Sequence, residues 1–457
     1  MYRSEDIKKI NDNIDKIKEN AQYEYRKVNE PTLQESSNIC KLIINFIKRK
    51  NRIVYGGYAQ NFLIMSKNKD DVFYKEIDGA FYNWPDLADI EFYSPTPVDD
   101  LIELTEELYA KKFNNIEASG GQHDGTYKIF VNFLNYCDIS YIPSNIFNNM
   151  PIITVDGLKC VHPHFMMVDS YRIFTDPMTS YWRLDKTIKR FQKIFNYFNV
   201  DQSKNNNIIK LNKSVETDDF IRKRIIHNSK LVVVGFYGFD YYVKKSIDKY
   251  AINDYPYYEL VSIELEKDAK QIYKLLKESF PGKIKVKEFN PFFSFIDRRI
   301  EFYYNDKLFL RLFGNNQRCI VYNYSEIKTT NYGTYNLIMM YLYFDYYLAF
   351  INRDKVNTNL YLELIGKLYH ARNKFLNDQS LTVVDDSPFK DFTYKCYGSQ
   401  IDPKRLSMLE GLEKRKKNKP MKYRYNPTGK PVKAPEFSFD NTSGNQISNK
   451  KYLILKK

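Results

Sequence analysis

Residues 53–61 read IVYGGYAQN, residues 89–94 DIEFYS and residues 135–142 NYCDISYI, and these three stretches decide the fold. The first sets a short apolar strand, Ile53 to Tyr55, against a Gly-Gly turn, with a helical period starting near Tyr58. Glycines at such a junction let the backbone approach a ligand closely, and the helix N-terminus behind them offers N–H groups and a positive dipole end to phosphate. Gly56 and Gly57 are therefore candidate phosphate contacts, with a plain tight turn as the other reading. The second stretch puts Asp89 and Glu91 two apart on a strand, where residues i and i+2 face one side. Two carboxylates there, flanked by Ile90 and Phe92, suit a divalent magnesium ion; a solvated strand face is the alternative. The third stretch holds Asp138 at the centre of an otherwise apolar strand. An unpaired carboxylate is costly to bury, so a metal or a lysine partner is expected beside it.

Outward from these stretches the chain alternates. A charged amphipathic helix is expected over 4–28 with Ser4 as its N-cap, and a second over 32–49, apolar at Ile39, Leu42, Ile43, Phe46 and Ile47. Residues 98–112 are helical by period, 128–142 strand-like, and 163–198 helical with mixed polarity. The alternation describes an α+β, or mixed α/β, module on a mixed sheet.

The second half repeats the pattern. Residues 216–234 read as helix and strand, then Gly235-Phe-Tyr-Gly238, then a helix from about Asp240. Glu91-Phe-Tyr-Ser94 finds a counterpart in Glu259-Leu-Val-Ser262, a register that sets Tyr257 against Asp89. Glu301 and Asp306 lie near the expected third strand, but neither falls in register with Asp138. Without paired acids this second module cannot hold two metals. A repeat of this kind implies duplication, chance likeness in a biased composition being the other reading.

Composition bounds the rest. The chain has 457 residues, room for two or three domains, and 70 Lys plus Arg against 56 Asp plus Glu, a formal +14. Residues 401–457 carry 15 of the basic residues and 5 acidic ones, so +10 of the excess lies in a C-terminal tail that reads as mostly extended. That tail suits a polyanionic partner. The five cysteines are scattered without a CxxC pair, which points to reduced thiols and against a disulfide frame or a thiolate zinc site. The apolar run 335–351 is too short to span a membrane and contains Asp345, so a buried or interface helix is expected. His162 and His164 flank Pro163 without further metal-ligating neighbours, and His123 is expected in a loop.

A glycine turn, paired acids on one strand and a third acid on a neighbouring strand form the pattern of the DNA polymerase β-type nucleotidyltransferases. With the aromatic-basic segment 180–192 (SYWRLDKTIKRFQ), the chain resembles the poly(A) polymerase catalytic subunits of giant, mimivirus-like DNA viruses, distantly related to the poxvirus enzyme. The motifs cover about residues 50–190. The resemblance implies a catalytic nucleotidyltransferase module and a degenerate second one. It also implies Asp89, Glu91 and Asp138 as catalytic and metal-binding residues, with Mg2+ or Mn2+ as cofactor and ATP as substrate. Asp138 would aid removal of the RNA 3′-hydroxyl proton. Gly56 and Gly57 would cradle the β- and γ-phosphates. Glu91 stands where many relatives have Asp. Arg183, Lys186 and Arg190 share one helix face beside Tyr181 and Trp182; they suit triphosphate or RNA contact with an aromatic for adenine stacking, or else a solvated basic face. Further implications are RNA 3′ ends as partner, a homodimer, no membrane, and residence in the host cytoplasm or virion.

The expected divisions are an N-terminal helix (1–30), a catalytic domain (31–200), a degenerate copy (201–400) and the basic tail (401–457). Uridylyl- or CCA-adding activity, a non-catalytic RNA-binding or virion role, and AMP transfer to protein remain the competing readings, because base choice lies in pocket shape.

Overall fold

Glycine turns and short apolar strands recur at matching places in two halves of the chain, and two sheets of the same design result. In the computed structural model the described residues are 2–83, 86–121, 125–200, 218–252, 255–280, 284–291, 296–315, 319–399, 403–417 and 423–429. They form two units, one of residues 1–162 with the described part of 410–437, the other of residues 163–409.

The first unit opens with two short helices, α1 (Ser4–Asp12) and α2 (Ile14–Val28), neither burying a residue. The single helix expected over 4–28 is thus broken at Asn13, and Arg3, not Ser4, precedes it. Helix α3 (Leu33–Arg49) starts where Thr32 Oγ1 accepts the Glu35 N–H at 3.1 Å. Its apolar stripe buries Ile39, Ile43, Phe46 and Ile47. Next come β1 (Ile53–Val54), α4 (Gly56–Met65), β2 (Ile90–Ser94), α5 (Pro97–Ala110), β3 (Glu117–Gly120), β4 (Thr126–Val131), β5 (Leu134–Tyr141), β6 (Ile152–Val155) and β7 (Leu158–Val161). The sheet runs β3-β4-β5-β2-β1-β7-β6, with β2–β5 and β1–β7 parallel and the other pairs antiparallel.

The second unit begins with α6 (Pro163–Phe174) and α7 (Leu184–Tyr197). It continues through β8 (Val232–Val234), α8 (Gly235–Val243), β9 (Tyr258–Ser262), α9 (Leu265–Ser279), β10 (Ile284–Phe289), β11 (Arg299–Tyr304), β12 (Lys307–Gly314), β13 (Ile320–Ser325), β14 (Thr330–Gly333), α10 (Tyr335–Ile351), α11 (Lys355–Asp378) and β15 (Cys396–Tyr397). Its sheet runs β10-β11-β12-β9-β8-β14-β13-β15, with β9–β12 and β8–β14 parallel. From β10 to β13 this is the first sheet's order and pairing, strand for strand. The fold is therefore α+β, two mixed-sheet modules of one topology.

Helix α10 is buried along its length except at Phe350, and no helix among the described residues is long and apolar enough to cross a membrane. Helix α6 packs on α10: Tyr171 stacks on Tyr343 with ring centroids 5.7 Å apart, and Phe165 meets Tyr347 at 4.4 Å. The break between units falls at His162–Pro163, whereas the expected catalytic domain ran to residue 200. His164 is half-buried, its Nε2 3.0 Å from the Phe198 carbonyl, and desolvation lowers its pKa.

Two further expectations are corrected. Cys319 and Cys396 form a disulfide, their Cα atoms 5.4 Å apart, while Cys40, Cys137 and Cys160 are free and buried. The pairing of β13 with β15 brings the two sulfurs together across 77 residues of sequence, a proximity no spacing motif announces. The tail is not mostly extended where it is described: Pro403–Lys416 is a helix (α12), and β16 (Arg424–Tyr425) adds an eighth strand to the first sheet beside β3. Tail residues 401–402, 418–422 and 430–457, and His123, lie outside the described residues.

Candidate active site

Helix α4 begins at Gly56 itself, one residue after Tyr55, whose N–H donates to the Glu91 carbonyl at 2.9 Å. Gly56 has φ +67°, and a Cβ there would lie 1.9 Å from Glu91 Oε2. Only glycine allows that approach. The next N–H, of Gly57, donates to the same Oε2 at 2.9 Å. The helix terminus thus already faces a negative group, in the way it would face a phosphate.

Register fixes the acids. Parallel pairing of β2 and β5 sets Glu91 beside Asp138, and antiparallel pairing of β4 and β5 sets Lys128 on Asp138's other side. Lys128, Asp138 and Glu91 therefore form a row across three strands, with Asp89 two residues before Glu91. Lys128 Nζ lies 2.7 Å from Asp138 Oδ1 and 2.5 Å from Oδ2. Asn135 Nδ2 donates to Asp138 Oδ1 at 2.9 Å and reaches Asp89 Oδ2 at 3.4 Å. Two residues along the strands, on the same sheet face, the Tyr55 hydroxyl bonds Ser140 Oγ at 2.7 Å, Ser140 meets Thr126 Oγ1 at 3.0 Å, and Tyr55 stacks on Tyr93 at 3.9 Å. Burial first, then the Glu91 charge, push the Tyr55 phenol well above its usual pKa, so it stays a neutral hydroxyl beside the row.

Five of the sequence-assigned residues, Gly56, Gly57, Asp89, Glu91 and Asp138, thus gather in one unit. Arg183 and Lys186 belong to the other: Arg183 closes a 3₁₀ turn with its guanidinium 4.4 Å over the Trp182 ring, and Lys186 lies exposed in the first turn of α7. Sequence reasoning missed Lys128 and Asn135. The lysine partner expected for Asp138 was left unnamed, because only strand register identifies it.

The donor set is all oxygen, three carboxylates with the Asn135 amide carbonyl, which hard divalent cations such as Mg2+ or Mn2+ prefer. Asn135 Oδ1 is buried without a hydrogen-bond partner, an acceptor suited to water carried by such a cation. Among the described residues no three Asp, Glu, His or Cys side chains stand close enough to hold a metal as they are oriented. Glu91 is turned onto Gly57, and Asp138 onto Lys128. The residues fit a metal chemically, and these two contacts must loosen for them to converge on one.

The second unit repeats the frame and changes its chemistry. Gly235 has φ +60°, and a Cβ there would lie 1.9 Å from Glu259 Oε2. Asn61, five residues beyond Gly56, accepts the Phe73 and Tyr74 N–H groups; Asp240, five beyond Gly235, accepts that of Ile252. In the acid row, however, β9–β12 pairing sets Glu259 beside Arg311, and β11–β12 pairing sets Glu301 on its other side. The sequence Lys–Asp–Glu has become Glu–Arg–Glu. Arg311 holds Glu259 at 2.7 Å, Glu301 at 3.0 Å and Asp345 at 2.9 Å, with the Tyr257 ring 4.9 Å away. The counterpart of Asp138 is an arginine, which a search for acids could not find.

A family model described as "Poly(A) polymerase catalytic subunit" matches residues 41–180, and one described as "APMV, Putative poly(A) polymerase, catalytic subunit, C-terminal" matches residues 190–457, more than half of the chain. The chain belongs to the giant-virus poly(A) polymerase catalytic subunit family. The "Putative poly(A) polymerase catalytic subunit" of Acanthamoeba polyphaga mimivirus is 29% identical over all of this chain and 84% of its own length. The protein of that name from African swine fever virus (isolate Pig/Kenya/KEN-50/1950) is 27% identical over 37% of this chain and 35% of its own. The crystal structure of the Megavirus polyadenylate synthase superposes with a TM-score of 0.87 at 28% identity, covering 99% of this chain and 93% of that one. Such a poly(A) polymerase subunit is an enzyme, a nucleotidyltransferase.

Proposed function

We propose that the chain adds AMP from ATP to the 3′-hydroxyl of viral mRNA without a template, releasing pyrophosphate. The observation that carries the reading is the placement of Glu91 beside Asp138, with Asp89 two residues earlier and the Gly56–Gly57 turn against Glu91. Asp89, Glu91 and Asp138 would hold two divalent cations. Magnesium bound there supplies charge that polarises the reacting phosphate and acidifies the 3′-hydroxyl. Asp138 assists removal of the hydroxyl proton. The Gly57 N–H, now on Glu91, is handed to a nucleotide phosphate, and Gly56 leaves room for that phosphate to approach. Arg183 and Lys186 contribute positive charge toward triphosphate or RNA, and the exposed rings of Tyr181 and Trp182 offer stacking surfaces. The working form is a homodimer in the host cytoplasm, at the viral factory, and is carried in the virion.

Incubating the protein with a short RNA, Mg2+ and each NTP separately tests the activity. Extension with ATP alone is expected, and equal extension with UTP or CTP rejects adenylate selectivity. Joint Asp89→Ala and Glu91→Ala substitution is expected to abolish extension; an unchanged rate rejects the site. Light scattering reads the oligomeric state.

A further inference from the structure

The third acid of the row is not waiting open. Both oxygens of Asp138 are taken by Lys128 Nζ, at 2.7 and 2.5 Å, and Oδ1 also accepts from Asn135. The pair is half-withdrawn from water, with side-chain exposures of 29% for Lys128 and 14% for Asp138. A carboxylate so engaged has three of its roughly four lone-pair directions filled by donors at hydrogen-bond length, two of them from the ammonium. A cation cannot take those directions while the ammonium holds them.

The second unit shows the same need answered permanently. Its acids, Glu259, Glu301 and Asp345, gather around Arg311, whose always-charged guanidinium occupies the position of Asp138. In both sheets the crowd of carboxylates beside the glycine turn is neutralised by a basic side chain drawn from the row itself. The difference is where that charge sits. Arg311 is central and held by three carboxylates, whereas Lys128 is lateral, on a flexible four-carbon stem, and bonded to one.

We propose that Lys128 is a built-in counter-ion that competes with the divalent cation for Asp138 and releases the carboxylate when metal binds. It is a positioning residue: it keeps Asp138 aimed into the row while the metal is absent and sets the metal concentration at which the site loads. The proposal rests on the reading of Asp89, Glu91 and Asp138 as metal ligands, so the experiment separates the two.

Mn2+ is titrated into the full chain without nucleotide or RNA, free Mn2+ being read by its electron paramagnetic resonance signal and stability by thermal melting. Lys128→Met keeps the aliphatic stem and deletes the charge; it is expected to bind Mn2+ about tenfold tighter or more, since removing a cation a few ångströms away is worth that much. It should also melt lower than the wild type without metal and gain more on adding it, because an acid left unpaired is repaid by the ion. Lys128→Arg keeps the charge and should bind no tighter than the wild type. Lys128→Gln serves as a second neutral variant if the methionine form does not melt cooperatively. Unchanged or weaker binding in the folded neutral variants overturns the proposal, provided Asp89→Ala with Glu91→Ala abolishes Mn2+ binding. If that double variant binds as the wild type does, the metal-site reading falls, and the proposal with it.

Discussion

The row Lys128–Asp138–Glu91 in the first sheet and the row Glu301–Arg311–Glu259 in the second occupy the same places on the same strands. Each lies beside a left-handed glycine pressed against a glutamate. One is part-exposed and rich in carboxylate; the other is buried, with Glu259 wholly inaccessible and Arg311 only 9% exposed. The comparison teaches that the fold tolerates acids beside this turn only with a cation among them. When that cation is a built-in arginine, the place is closed to metal chemistry and becomes a core ion cluster. A duplicated scaffold has thus been kept for its shape in one half and for its charge vacancy in the other.

The sharpest way to break the comparison is to write the second row into the first. Lys128→Glu with Asp138→Arg reproduces the arrangement of the second sheet and keeps the row's formal charge. RNA extension is expected to fall by about a thousandfold or more, the scale of losing electrostatic stabilisation of a transition state, while thermal melting stays near that of the wild type. Retained extension would show that Asp138 has no part in the chemistry.

The reverse operation, emptying the second row, strikes stability and not chemistry. Arg311→Leu strands Glu259, Glu301 and Asp345, all buried, and breaking a buried ionic cluster from one side costs about 3–5 kcal/mol. Urea unfolding of the purified variant is the measurement. A loss under about 1 kcal/mol would mean that the three acids rearrange or protonate without cost.

The two glycines sharpen the comparison by behaving alike in one respect and differently in another. Gly56→Ala and Gly235→Ala each force a Cβ into a left-handed conformation and against a glutamate 1.9 Å away. A strain of about 1–3 kcal/mol is expected at each, read as a similar fall in melting temperature. Extension kinetics should separate them: a hundredfold loss, roughly, in Gly56→Ala, where Glu91 and the Gly57 N–H are displaced, and little change in Gly235→Ala once folded.

Much of this was legible in residue order. The Gly-Gly turn, the Asp89/Glu91 spacing and the central Asp138 marked the first site, because carboxylates on an apolar strand need a cation close by. Gly235 and Glu259 marked the copy. The rest is a matter of register. Lys128 is ten residues from Asp138 and finds it because the β4–β5 hairpin aligns them. Arg311 hid because the turn at Asn305–Asp306 starts a new strand, so the third strand of the copy is Lys307–Gly314, beyond the acids that were weighed. Asp345 read as a blemish in an apolar run, whereas α10 carries it inward to Arg311. Helix α12 escaped the reading because its few apolar residues, Leu406, Met408, Leu409 and Leu412, stay exposed among basic neighbours and mark no buried face.

The smallest expected effect lies in a proton. Burial first, then the neighbouring Asp345 carboxylate, push the Glu259 carboxyl well above its usual range, and burial also raises Asp345. Glu259 Oε2 and Asp345 Oδ2 are buried without a hydrogen-bond partner, and a proton kept on Glu259, the direction in which burial drives it, would supply a donor between them. With that proton, two arginines, Arg299 and Arg311, balance the remaining charge of Glu301 and Asp345. Because the folded chain keeps a proton that the unfolded chain releases, stability is fullest below the ordinary carboxylate pKa. It falls as pH rises from there toward the raised value, at most about 1.4 kcal/mol per pH unit for a single proton. Glu259→Gln carries a fixed donor in place of the proton and still offers Arg311 an oxygen. Its unfolding free energy, measured from pH 5 to 8, should lack that part of the decline, so the gap between variant and wild type should change steadily with pH in the variant's favour. A gap that does not move with pH would mean that Glu259 is ionised in the fold, and that the closed row carries one more negative charge than its two arginines balance.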